Sequence, residues 1–190
     1  MTAPRMAPRL GILLSGAGST YANLEQAITD GRLRATIAVV VSSRADAGGL
    51  GLAQQHGRPA VVAATPEAVT AALLAHGAEA VAMCGYLKFW DPPAAFAGRA
   101  FNVHPSLLPA FGGRGMFGLR VHQAVIAAGA TVSGCTVHRV AGHYDSGPII
   151  ARRDVPVLPG DSAEALQARV QAAERELYPA AIDAALHPAG

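Results

Sequence analysis

The stretch Leu10-Gly-Ile-Leu-Leu-Ser-Gly-Ala-Gly-Ser-Thr20, continuing Tyr21-Ala-Asn-Leu-Glu-Gln-Ala-Ile-Thr29 and then Thr36-Ile-Ala-Val-Val-Val41, decides the fold class. Leu10–Leu14 is an uncharged aliphatic run, as a strand buried on both faces requires. A Ser/Gly loop follows, then a helical pattern over 21–29 with Gly31 just past its end, then a second aliphatic run. Strand, tight glycine loop, helix and strand make one βαβ unit, and the pattern repeats outward. Residues 50–56 read as a helix stopped by Gly57, and Ala60–Ala64 as a third strand. Thr65-Pro66-Glu67 starts a helix, with Thr as cap, Pro at the first position and Glu at the positive end. Residues 78–84 and 99–103 read as the fourth and fifth strands. From Thr131 the spacing changes. Residues 132–140 and 149–157 are strand-like and separated by a short Ser/Gly/Pro segment, so they predict an antiparallel addition. Residues 161–185 close the chain as a helix, with Asp161-Ser-Ala-Glu164 as its capping box. The expected fold is α/β: one doubly wound, mainly parallel sheet with an antiparallel addition near the C-terminus. A single domain over 1–190 is expected, with residues 1–8 as a flexible tail.

Composition narrows the function classes. The chain has 190 residues, 51% hydrophobic and 15% charged, with a formal charge of +2. This is a globular composition. Lys88 is the only lysine and the arginines are scattered, so no nucleic-acid footprint is expected. No run is long enough to span a membrane, and no apolar segment near the start reads as a secretory signal. Cys84 and Cys135 lie in apolar stretches without a CxxC or a Cys/His grouping, so neither a disulfide nor a metal site is expected. The expected setting is cytoplasmic, with small-molecule partners and neither nucleic acid nor membrane.

Two places carry chemistry. In Ser15-Gly16-Ala17-Gly18-Ser19-Thr20 the glycines let backbone approach a ligand, and the following helix start favours an anion such as phosphate. The loop also begins a dinucleotide pattern, but Tyr21 stands at the third glycine. The second strand ends in Ser42-Ser-Arg44 rather than an acid, which leaves an NADP oxidoreductase as the competing reading. The second place is Phe101-Asn-Val-His-Pro-Ser-Leu-Leu-Pro109. Asn102 and His104 are two residues apart at a strand's carboxyl end, so they leave one face and suit donation to a developing oxyanion. His104 alone reads as a satisfied core histidine; Asn102 beside it reverses that preference. Asp145, within His143-Tyr-Asp-Ser-Gly-Pro148, reads by itself as an Asx turn. Paired with His104, it would raise that histidine's pKa and keep the ring able to donate a proton. His122, His138 and His143 have no spacing that assigns them a metal.

Taken together, Ser15–Thr20, Gly85-Tyr-Leu-Lys88, Asn102–Pro109, Gly134-Cys-Thr-Val-His138, Asp145–Ile150 and the segment Glu174 to Pro179 resemble, in that order, the folate-dependent formyltransferases of purine synthesis. The resemblance runs over nearly the whole chain. It implies transfer of a formyl group from 10-formyltetrahydrofolate to the amino group of glycinamide ribonucleotide, without a metal. By the same resemblance Asn102, His104 and Asp145 are catalytic. Gly18, Ser19 and Thr20 hold the substrate phosphate, and Glu174 contacts the glycinamide side. Leu87, Lys88, Phe89 and Trp90 line the folate site with Ala141, Gly142, His143, Tyr144 and Asp145, and Asn102 also faces it. Another 10-formyltetrahydrofolate-using transferase or hydrolase is the alternative within the group. The chain departs from the family pattern at Thr20, where many members have Asn, and at Lys88, where Arg is frequent. Thr65–Gly77 has no Arg or Lys, and the glycine-rich Phe111–Leu119 stretch replaces a commoner short loop.

Overall fold

The computed structural model describes residues 7–188. Of the tail expected over 1–8, residues 1–6 lie outside the described residues; the Pro8 carbonyl accepts from the Thr36 amide (2.9 Å). The chain forms two compact units, one reaching to Ala100 and resuming at Leu186, the other Phe101–Ala185.

The first unit contains β1 (Arg9–Leu14), α1 (Ser19–Thr29), β2 (Thr36–Ser42), α2 (Gly48–Gln55), β3 (Ala60–Val62), α3 (Pro66–Ala75) and β4 (Ala80–Met83). Its strands are parallel in the order β3-β2-β1-β4. Leu10, Ile12, Leu13, Leu14, Val39, Val40 and Val41 are buried completely. That is the reason for their uncharged runs: a parallel strand covered on both faces has no polar side. Leu24, Ala53, Val69 and Leu73 are the helix residues driven into this core. Thr65 caps α3 as the sequence predicts, accepting from the Ala68 amide (3.3 Å), with Pro66 in the first turn.

The second unit contains β5 (Ala100–His104) from Phe101 on, α4 (Leu119–Ala127), β6 (Val132–Arg139), β7 (Ile149–Pro156) and α5 (Ala163–Leu186) up to Ala185. Here β5-β6-β7 are antiparallel neighbours. The seven strands thus make the mixed sheet expected, parallel first and antiparallel toward the C-terminus. Val125, Cys135, Val155, Leu166, Val170 and Ala173 form the second unit's core, with Phe111 and Leu177 packed on it. Both cysteines are free and buried, and burial raises both thiols, Cys135 to about 12. Two details differ from the sequence reading. Ser162, not Asp161, caps α5, accepting from Ala165 N (3.2 Å); Asp161 instead accepts from Leu158 N and pairs with Arg169. The α4 helix was not anticipated, because the glycines before it mask its start. No helix among the described residues is long and apolar enough to cross a membrane.

One close approach positions the loop after β1. Gly18 has φ 85°, and a Cβ on it would stand 2.6 Å from the Gly49 Cα. A Cβ on Gly49 would in turn meet Leu14 Cδ2 at 2.5 Å. Gly49→Ala is therefore expected to destabilise the protein by about 1–3 kcal/mol, the usual range for overpacking. Chemical denaturation checks this; an unchanged midpoint would show that the Leu14 side chain gives way freely.

Candidate active site

The loop after β1 leads into α1, whose first N–H groups have no acceptor within the helix. Gly18 is the N-cap and contributes no side chain; its carbonyl accepts from Ala22 N (2.9 Å). Ser19 is exposed and Thr20 half-buried at the entrance. The loop's base is held from below: Ser15 Oγ lies 2.7 Å from Ser43 Oγ and accepts from Leu87 N (3.0 Å). The Ser–Arg pair that kept the NADP reading open is engaged internally. Arg44 donates through Nε and one terminal nitrogen to Asp46 (2.9 and 2.5 Å), and Ser42 Oγ donates to Arg44's own carbonyl (2.8 Å).

Of the expected folate-lining residues in the first unit, Leu87, Lys88 and Phe89 are exposed. Lys88 Nζ is tethered to the Ala64 carbonyl (2.9 Å). Trp90 is different: its ring is buried against Phe96 and its indole donates to Thr70 Oγ1 (3.1 Å).

The second unit gathers the Asn–His pair and the aspartate. Across the β5–β6 ladder Asn102 lies opposite His138 and His104 opposite Thr136. This alternation puts Asn102, His104 and His138 on one face. Asp145 reaches them from the turn after β6. Its Oδ2 accepts from Gly113 N (2.9 Å) and lies 3.4 Å from His104 Nδ1. Its Oδ1 lies 3.5 Å from both Asn102 Nδ2 and His138 Nε2. Asn102 Nδ2 is also 3.2 Å from His138 Nε2, while His138 Nδ1 donates to the Arg139 carbonyl (2.9 Å). On the other side of His104, Nε2 donates to the Phe111 carbonyl (2.8 Å).

The electrostatics correct one expectation. Burial lowers the pKa of His104 and outweighs Asp145 and the Phe111 carbonyl, which both act to raise it. Asp145 pulls in the expected direction, but the 4% exposed ring loses more by desolvation than it gains, so its resting form is the neutral imidazole. For Asp145 burial acts to raise the pKa, yet His138, the charged form of His104 and the Gly113 amide outweigh it. The carboxyl is held below its usual range. Glu174, on α5, is the opposite case: burial raises it to about 7, against a smaller effect of Arg175.

Ala141, Gly142, His143 and Tyr144 are exposed, and Ser146 Oγ bridges the Ala141 and His143 carbonyls (3.1 and 3.0 Å). His138 is the site residue that sequence reasoning left without a role. Its signal is the β5–β6 register, which residue spacing along one strand does not contain.

Comparison with known proteins assigns the family. A family model described as formyl transferase matches residues 8–182. A chloroplastic phosphoribosylglycinamide formyltransferase of Vigna unguiculata is 39% identical over 187 residues, covering 93% of this chain and 60% of its own length. The chain thus spans about three fifths of that relative. The phosphoribosylglycinamide formyltransferase of Haemophilus influenzae is 34% identical, covering 92% of this chain and 85% of its own length. Among solved structures, glycinamide ribonucleotide transformylase 1 of Symbiobacterium toebii superposes with a TM-score of 0.85 at 38% identity, covering 95% of this chain and 88% of that one.

Asp145→Asn removes the negative charge 3.4 Å from His104 Nδ1, so the imidazole pKa should fall further. Titrating the His104 ring by NMR in both proteins checks this. An unchanged or raised value would mean that the carboxylate does not act on the ring electrostatically.

Proposed function

The chain belongs to the formyl transferase family, and on that premise we propose that it transfers the formyl group of 10-formyltetrahydrofolate to the amino group of glycinamide ribonucleotide, a step of purine biosynthesis. The observation that carries the reading is the cluster of Asn102, His104 and Asp145 at the end of β5, in a chain of this family. The two compact units are read as parts of one formyltransferase domain, because the family match runs through both. Both reactants are small molecules.

A folate donor is consistent with the second unit's chemistry: beside the buried polar cluster, residues 141–144 offer exposed backbone and the Tyr144 ring, 39% exposed, to a flat heterocycle. The donor supplies the formyl group and takes up a proton at the nitrogen that gives it up. The protein's part is to orient the formyl oxygen, to stabilise charge there, and to move one proton. The Asn102 amide is the neutral donor toward that oxygen; such a donor contributes about 2.7–4 kcal/mol to lowering a barrier. One N–H bond of the attacking amine breaks and its proton passes to the nitrogen released. His104 is the relay. As a neutral ring it accepts the proton at Nδ1, beside Asp145, and gives it back on the leaving side. The charged ring is stabilised while it lasts, because both nitrogens then face acceptors: Asp145 and the Phe111 carbonyl. Glu174 is assigned to the glycinamide side of the substrate. Gly18, Ser19 and Thr20 are assigned to its phosphate, through amides at the start of α1 and two hydroxyls. Leu87, Lys88 and Phe89 are assigned to the folate together with Trp90, whose ring is buried.

Purified protein given 10-formyltetrahydrofolate and glycinamide ribonucleotide should release tetrahydrofolate only when both are present. His104→Ala should fold normally and lower turnover by roughly 10²–10⁴-fold, the range for loss of a general acid–base group. Release of tetrahydrofolate without the amine would make the enzyme a hydrolase. Near-normal turnover in the variant would remove His104 from the chemistry.

The phosphate assignment has its own check. Each charge-assisted hydrogen bond contributes roughly 1.5–3 kcal/mol, so glycinamide riboside should have a much lower kcat/KM than the ribotide. Equal efficiencies would take the phosphate away from the loop.

A further inference from the structure

Among the described residues two other than glycine have a positive φ, and both act on His104. Phe111 has φ 55° and Asp145 φ 54°. The left-handed region is unfavourable for a bulky aromatic residue, so something must hold Phe111 there. Its ring packs on the second unit's core of Val125, Cys135, Val155, Leu166 and Val170. With the ring anchored and φ positive, the Phe111 carbonyl is turned onto His104 Nε2 at 2.8 Å. Two residues on, Gly113 N–H donates to Asp145 Oδ2 at 2.9 Å. Gly112 between them has no room for a side chain: a Cβ there would stand 2.4 Å from Leu108 Cδ2 and 3.4 Å from Asp145 Cβ.

A carbonyl oxygen only accepts, so His104 Nε2 must carry hydrogen. The lone pair of the neutral ring is then on Nδ1, the nitrogen 3.4 Å from Asp145. The titratable groups about the ring are Asp145, His138 and His122; Asp145 is on the Nδ1 side, and His122 has no hydrogen-bond partner for its own Nδ1.

We propose that Phe111 is a positioning residue: its backbone carbonyl locks His104 in the Nε2–H tautomer and thereby makes Nδ1 the nitrogen that exchanges the proton during formyl transfer. The proposal rests on the formyl-transfer reading for the reaction, whereas the tautomer is a property of the protein without substrates. Phe111 would otherwise count as an ordinary core residue. The distinction is that its main chain, not only its ring, reaches the reacting side chain.

The test is nitrogen-15 NMR of the full chain with labelled histidine, His104 being assigned by its loss in His104→Gln. The neutral wild-type ring should be protonated at Nε2 and bare at Nδ1. Phe111→Ala removes the anchoring ring but keeps the cost of the positive φ, so the segment is released from it. It should let the Nδ1–H tautomer appear and lower kcat about 10- to 100-fold, as small misplacements of reacting groups do, with KM for both reactants little changed. Phe111→Tyr keeps the ring and should recover most of both effects. A wild-type ring protonated at Nδ1 overturns the proposal without any variant. So does Phe111→Ala with an unaltered tautomer and kcat, or with KM raised and kcat kept. The expected tautomer in a wild-type protein that transfers no formyl group would overturn the formyl-transfer reading and leave the tautomer assignment standing.

Discussion

The Asp145 carboxylate, 11% exposed, is the constraint on which the second unit's site depends. A charge that far from water must be met by donors or cations, or it will be neutralised. Here the Gly113 amide and the Asn102 side chain donate to it, and the His104 and His138 rings lie against it, from β5, β6 and the loop before α4. His138 is a near neighbour along the chain, but Gly113, Asn102 and His104 are remote from Asp145 in sequence. Satisfying one carboxylate therefore brings three segments to one point and orders the side chains that perform the proposed transfer. The backbone contributes as well: Asp145 itself is held at φ 54°, a conformation that Asp tolerates better than most residues.

His104 shows how competing effects divide the work. Desolvation by its surroundings keeps the resting ring neutral, which suits a group that must first accept a proton. The same surroundings provide an acceptor at each nitrogen, so the charged ring is not abandoned once formed. A more exposed imidazole would be charged more readily but would lose both orientation and tautomer. A ring buried without Asp145 would be oriented but too weak a base.

The first unit solves a different problem. Its loop must bring backbone amides to a surface while the strand before it is fully buried. Gly18 and Gly49 do this by letting two main chains approach without side chains between them, and Ser15 ties the loop's base to β2 and to Leu87 N.

Much of this was legible along the chain. Hydrophobic runs without charge imply parallel strands with covered faces, and the Thr65–Pro66 start of α3 follows from local capping chemistry alone. Asn102 and His104 share a face because strand periodicity is two, a property of the backbone that needs no tertiary information. Asp145 by itself reads as an Asx turn, and its pairing with His104 is one alternative that the resemblance selects; distance along the chain says nothing of distance in space. The α4 helix was hidden by glycines, and the capping of α5 was misplaced by one residue because Asp161 and Ser162 are both good caps. What only the tertiary structure decided is the placement of His138 opposite Asn102, the balance that leaves His104 neutral, and the turn of the Phe111 carbonyl onto its ring. The physical reason is common to all three. Strand register, desolvation and the anchoring of a strained residue depend on packing between segments remote in sequence, whereas periodicity and capping act within a few residues of the backbone they govern.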